Sequence, residues 1–236
     1  MINIIYFIWI NQNRPYKEII EGQLDDIIES DILSEGFLNI VISLDINIQS
    51  EITQIIDKKL ININNKYAID FHHDNKYEYY GIKKLYDLSK INPNNIYFYM
   101  HSKGMYTSYG CSGRTHHEKR LTRGHLNKYK IVKKQFIEND DVVSAGMFPG
   151  DLFYGNKNFI WFNFFYAKGS YLLNCEEPKT SNDNRFYYEF WLGSNNLENN
   201  SNIKIYNIIY DNYEKIQKPA ELIGSNRFNE DGSLRN

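Results

Sequence analysis

Cysteine is scarce in this chain: Cys111 and Cys175 are the only two among 236 residues. Two thiols cannot supply the framework of bridges that small secreted domains rely on. Both are therefore read as packing residues in a reducing compartment, not as a bridge or a nucleophile. Excess charge is missing as well. Lys and Arg number 27 against 29 Asp and Glu, a formal charge of −2. Dedicated nucleic-acid-binding domains show a strong basic excess, so no nucleic-acid partner is expected. Long apolar runs are also lacking. The stretch Met1–Ile10 falls short of the roughly 18 apolar residues that mark a membrane helix. It has no basic leader and runs straight into Asn11–Pro15. It reads as a buried first strand, neither a signal peptide nor a transmembrane segment, and the expected location is cytoplasmic. The phosphate loop, the Gly-x-Gly-x-x-Gly turn, the Gly-x-Ser-x-Gly elbow and paired Cys-x-x-Cys are all absent. Kinase, dinucleotide-oxidoreductase, serine-hydrolase and zinc-ribbon readings lose their support with them.

Aromatics are abundant, with 20 Tyr and 14 Phe. Such a chain has the apolar area for a large core and is not disordered. Its patterning alternates between two periods. Ile4–Ile10 is a near-continuous apolar run, as in a strand covered on both faces. Residues Tyr16 to about Ser30 repeat apolar positions at helical spacing after Pro15. Leu38–Leu44 reads as a second strand, completing a βαβ unit. Further expected helices are Glu51–Lys59, Lys76–Lys90, Leu126–Glu138 and Asn184–Leu192. Further expected strands are Leu60–Ile63, Ile96–Met100 and Asp141–Ala145. Residues Ser108–Arg123 read as a loop, Phe153–Leu173 as irregular, and Asn195–Asn202 as an Asn-rich loop. Strands alternating with helices give an α/β fold with a mostly parallel sheet. The expected organisation is one domain over 1–194, with 195–236 as a C-terminal extension packing on it or partly flexible.

Ligands of open α/β sheets bind beyond the carboxyl ends of the strands. Two such ends stand out, Trp9–Asn13 and His101-Ser102-Lys103-Gly104. In the second, Gly104 lets the backbone pass close to a ligand, Lys103 offers a point charge for phosphate, and His101 can donate to phosphate or ligate a metal. The competing reading is an ordinary polar surface turn. Arg185 and Glu189 stand four apart and share a helix face. They are either a plain ion pair or an arginine orienting a general base. In the run Phe159–Lys168, Trp161 can stack on a sugar. Asn163 is a polar amide in an apolar run and needs partners. His72-His73-Asp74 and His116-His117 lack the spacing of a metal site and read as loops.

These motifs occur in an order that resembles a family of GT-A-like glycosyltransferases from bacterial surface-polysaccharide clusters and large DNA viruses. The matching positions are Gln23-Leu24, Tyr77-Glu78-Tyr79, Phe98–Gly104 (with Ser102 for Thr in His-Thr-Lys-Gly), Asp141–Gly146, Trp161–Lys168 and Arg185–Gly193. They span about residues 2–194. The chain departs from the family in carrying Phe162 where the family has Gly. The usual Asp-x-Asp metal motif is replaced by His101-Ser102-Lys103. The resemblance implies a GT-A-like (Rossmann-like) single α/β domain, with a mostly parallel twisted sheet and helices on both faces. It implies a nucleotide-sugar donor, UDP- or dTDP-linked, and a glycan or glycoprotein acceptor. The donor would lie along Trp9, Asn11, Asp70, Glu78, His101, Ser102, Lys103 and Gly104. The acceptor would lie at Trp161 and Asn163. Glu189 would be the catalytic base and Arg185 its orienting partner. Lys103 and His101 can supply the charge that Mn²⁺ or Mg²⁺ supplies elsewhere, with a cation held by other carboxylates left open. A viral origin would place the protein in the host cytoplasm. The alternative is a non-catalytic module that binds glycan or nucleotide sugar within a glycan-synthesis assembly.

Overall fold

The isoleucine-rich start of the chain forms β1 (Ile2–Trp9), in which every residue but Trp9 is buried. It can be apolar on both faces because it lies inside the sheet. Strand β2 (Gly36–Ser43) pairs with it in parallel on one side, and β4 (Ile96–His101) in parallel on the other. A computed structural model describes residues 1–63, 66–102, 113–150, 158–180, 186–194 and 203–235. With β3 (Tyr67–His72), β5 (Val142–Gly146), β6 (Phe165–Lys168) and β7 (Lys204–Asn207), the sheet has seven strands in the order β3-β2-β1-β4-β6-β5-β7. Only β6 runs antiparallel to its neighbours. The chain leaving β5 is joined by an antiparallel bridge between Pro149 and Ile160, and so returns beside its own strand.

Alternation along β1 sorts the helices into two layers. Ile4, Tyr6 and Ile8 face the layer of α1 (Tyr16–Glu29), α2 (Gln49–Leu60), α4 (His116–Leu126) and α5 (Tyr129–Glu138). Ile5 and Phe7 face α3 (Tyr79–Ile91), the single turn α6 (Gly169–Leu172) and α7 (Phe186–Phe190). The protein is thus an α/β domain with helices on both faces of a mostly parallel sheet. Among the described residues no helix is long and apolar enough to cross a membrane.

Several local expectations are corrected. Leu60–Ile63 is not a strand. Leu60 completes the buried stripe Ile52, Ile56, Leu60 of α2, and the strand lies further on at Tyr67–His72. Residues 116–123 are not a loop but most of α4. Its N-cap Thr115 accepts a hydrogen bond from the Glu118 amide at 3.2 Å, and Thr-x-x-Glu is a capping signature that the sequence displays. Leu126–Glu138 is not one helix, because α4 ends at Leu126 and α5 begins at Tyr129. The aromatic stretch holds β6. The chain after residue 194 supplies β7 to the same sheet, then α8 (Pro219–Gly224). Arg120, buried on α4, donates to the carbonyls of Ile223 (2.5 Å), Ser225 (3.0 Å) and Phe228 (2.9 Å), tying this segment to the domain.

Candidate active site at the carboxyl ends of β1 and β4

From β1 the chain steps outward to β2 and β3, then crosses back to place β4 on the other side of β1. Connections leave β1 and β4 in opposite directions, so their carboxyl ends border a crevice, the usual ligand position in such sheets. Ser102 stitches the two ends together. Its amide donates to the Phe7 carbonyl at 2.9 Å, and its hydroxyl accepts from the Trp9 amide at 3.1 Å and lies 3.3 Å from the Trp9 carbonyl. The Ser102 side chain therefore fixes the rim of the crevice.

Four polar side chains from three segments meet beside this rim. The first segment opens α3. Tyr77 takes a left-handed backbone (φ 52°), and Glu78 follows as the N-cap residue without capping its own helix. Its carboxylate turns toward the sheet instead. Helix α3 lies very close to β1 there, because a Cβ added to Gly81 would sit 2.7 Å from the Phe7 Cβ. The second segment is the end of β4, with Tyr99 and His101. The third is a 3-10 turn over Trp161–Asn163, in which Phe162 (φ 66°) and Asn163 (φ 54°) are both left-handed. Asparagine tolerates that region, whereas phenylalanine does so at a cost.

The Tyr99 hydroxyl donates to Glu78 Oε2 at 3.1 Å, and the side-chain amide of Asn163 donates to the same oxygen. His101 Nε2 lies 3.0 Å from the Phe162 carbonyl. A carbonyl only accepts, so Nε2 carries a proton. His101 Nδ1 faces Glu78 Oε1 at 4.0 Å. Burial, reinforced by the charge of Glu78, pushes the Tyr99 phenol well above its ordinary range, so it stays a donor.

Glu78, His101 and Asn163 are thus brought together. Asp70 is not in this group. It lies in edge strand β3 and pairs with Lys84 of α3 at 2.7 Å. Trp9 ends β1 and packs partly buried against both layers. Asn11 accepts from the Asn13 amide at 3.0 Å, closing the turn after β1. Trp161 donates its indole N–H to the Ile216 carbonyl at 3.1 Å, which fixes the ring against the C-terminal segment. Glu189 is half-buried on α7, and α7 packs on the Trp161–Asn163 turn. Lys103, Gly104, Arg185 and Cys111 lie outside the described residues.

Sequence reasoning treated Tyr99 as core and did not identify the network behind the rim. Gln23 of α1 is fully buried. It accepts from the Tyr6 hydroxyl at 2.5 Å and donates to Glu118 at 2.8 Å. Arg114 holds Glu118 at 2.6 Å and Asp26 at 2.5 Å, and Arg123 holds Asp26 at 2.8 Å. This network clamps α4 to α1 beneath the β4 end. Its visible signal was a glutamine on the apolar face of α1. Among the described residues no three His, Cys, Asp or Glu side chains come together as a cation site. Glu78 and His101 are two such side chains, without a third among the described residues.

No family model and no curated protein matches the chain. The class rests on the fold itself, an α/β domain with an open, mostly parallel sheet and a polar cluster at the point where its strand order reverses.

Proposed function

We propose that the chain is a GT-A-like glycosyltransferase, moving a sugar from a nucleotide-diphosphate-sugar, UDP- or dTDP-linked, to a hydroxyl of a glycan or glycoprotein acceptor. The observation that carries this reading is the cluster of Glu78, Tyr99, His101 and Asn163 at the β1/β4 reversal, framed by left-handed Tyr77, Phe162 and Asn163. Non-glycine residues in strained backbone gather at functional sites. The family resembled by the sequence has Gly where this chain has Phe162, and the φ of 66° at that position is one that glycine adopts freely.

In this reading the donor diphosphate lies over the end of β4, where Lys103 offsets its charge and His101 borders it. The acceptor lies between the Trp161–Asn163 turn and α7. Glu189, oriented by Arg185, takes the proton of the acceptor hydroxyl as its oxygen attacks the anomeric carbon. The bond from that carbon to the phosphate oxygen breaks, and the nucleoside diphosphate leaves. Thermal-shift titration with UDP, dTDP and GDP and their sugar conjugates, with and without Mn²⁺, tests the reading. A bound donor at 100 times its Kd adds about 2.7 kcal/mol of apparent stability. No shift with any of them, and no transfer or donor hydrolysis, overturns it.

A further inference from the structure

Glu78 holds two oxygens in unequal surroundings. Tyr99 and Asn163 both donate to Oε2. Among the described residues no hydrogen bond to Oε1 is seen, and His101 Nδ1 stands 4.0 Å from it, beyond direct reach. The Glu78 side chain is 18 % exposed, so the carboxylate is largely but not wholly stripped of water. We propose that Glu78 Oε1 anchors a hydroxyl of the transferred sugar, making Glu78 a specificity-determining residue for the sugar ring. This rests on the glycosyltransferase reading and names the part of the donor that the cluster recognises.

The chemistry favours a hydroxyl over the other groups of a donor. A phosphate oxygen would meet a carboxylate of like charge. A hydroxyl donates to a carboxylate and keeps its own lone pairs for a second partner. A gap of 4.0 Å is spanned by one oxygen making two bonds of about 2.8 Å, so a hydroxyl on Oε1 comes within reach of the His101 ring edge. The surrounding structure keeps the oxygen in place. Tyr77 is left-handed just before Glu78, the residue leaves its own helix uncapped, and Asn163 reaches it from a turn of two left-handed residues. The left-handed Tyr77 and Phe162 and the uncapped helix are unfavourable local choices that the held carboxylate would explain.

Glu78→Gln tests this, because the amide keeps an oxygen for Tyr99 and Asn163 and turns an NH₂ toward the crevice. Calorimetric titration compares UDP, dTDP and GDP with UDP-glucose, UDP-galactose, dTDP-glucose and GDP-mannose. The expected result is nucleoside-diphosphate affinity within about twofold of wild type and sugar-nucleotide affinity lower by about tenfold, the worth of one charge-assisted bond. Tyr99→Phe, which removes one of the two donors holding Glu78, should shrink the same difference to a smaller degree. It carries the test alone if Glu78→Gln does not fold. Equal losses for diphosphate and sugar nucleotide, or an intact preference for the sugar in both variants, overturn the proposal while the glycosyltransferase reading stands. A wild-type protein that binds no nucleotide at all overturns both.

Discussion

His101 donates from Nε2 to the carbonyl oxygen of Phe162, 3.0 Å away, and Phe162 presents that carbonyl from a left-handed backbone, φ 66°. The conformation is unfavourable for a residue with a Cβ by about 1–2 kcal/mol. Phe162→Gly and Phe162→Ala both lose the ring contact with Phe148, but only the glycine variant loses the backbone penalty. Urea denaturation should find Phe162→Gly more stable than Phe162→Ala by about 1 kcal/mol. An alanine variant of equal or greater stability would mean that the backbone is not strained there.

Glu189 sits on the helix that packs against the same turn. Glu189→Gln should lower the transfer rate by about 10²–10⁴, the usual contribution of a positioned base, with donor affinity nearly intact. Lys103→Ala should do the reverse, weakening donor binding most. Initial rates together with donor titrations separate the two. Full activity in Glu189→Gln removes it as the base.

Arg114 and Arg123 share Asp26 but differ in exposure, 6 % against 32 % for their side chains. Arg114→Gln leaves Glu118 and Asp26, both essentially buried, short of their countercharge. Breaking a buried pair in this way costs about 3–5 kcal/mol. Arg123→Gln should cost under about 1 kcal/mol, as at partly exposed pairs. Chemical denaturation of the two variants measures the contrast.

His125 is fully buried among Phe98, Phe164 and Tyr166. Its Nδ1 donates to the Leu121 carbonyl at 2.7 Å, and its Nε2 accepts from the Met147 amide at 3.1 Å. Burial pushes the imidazole from 6.5 down to about 4. The folded state therefore binds fewer protons than the unfolded chain between these values. The contribution to stability is complete above about pH 6.5 and is lost as pH falls toward about 4, a loss of about 3 kcal/mol. Urea unfolding followed from pH 7 to 4 should show this slope. His125→Gln should flatten it.

Deleting residues 203–236 should do more than trim an extension. It removes β7 from beside β5 and strips Arg120, only 7 % exposed, of the carbonyls of Ile223, Ser225 and Phe228. A buried guanidinium without acceptors is strongly destabilising. The shortened chain should show no cooperative melt by circular dichroism. A monomer that still melts cooperatively would show the segment to be dispensable.

Much of the site was legible as separate residues. His101 ended a buried strand, Asn163 interrupted an apolar run, and Glu78 stood in the first turn of the expected helix Lys76–Lys90, singled out only by the family resemblance. Their convergence was not legible, because 61 residues separate His101 from the Phe162 carbonyl and 85 separate Glu78 from Asn163. Tyr99 looked like any core tyrosine, since only its hydroxyl, at the far end of a buried ring, reaches the site. Strand β6 escaped for another reason. Phe164 and Tyr166 face one helix layer while Phe165 and Ala167 face the other, so no alternation of apolar and polar residues remained to mark it.

By itself the sequence determined the α/β class, since buried strands read as unbroken apolar runs and amphipathic helices as a 3.6-residue period, both set by local backbone geometry. It also determined which strand ends bore polar residues. The tertiary structure alone decided that β4 would return to the far side of β1, that β7 would join the sheet, and that Tyr99, His101 and Asn163 would gather around the Glu78 carboxylate. Those outcomes depend on packing between segments far apart in the chain, and side-chain patterning within a single segment carries no record of its distant partner.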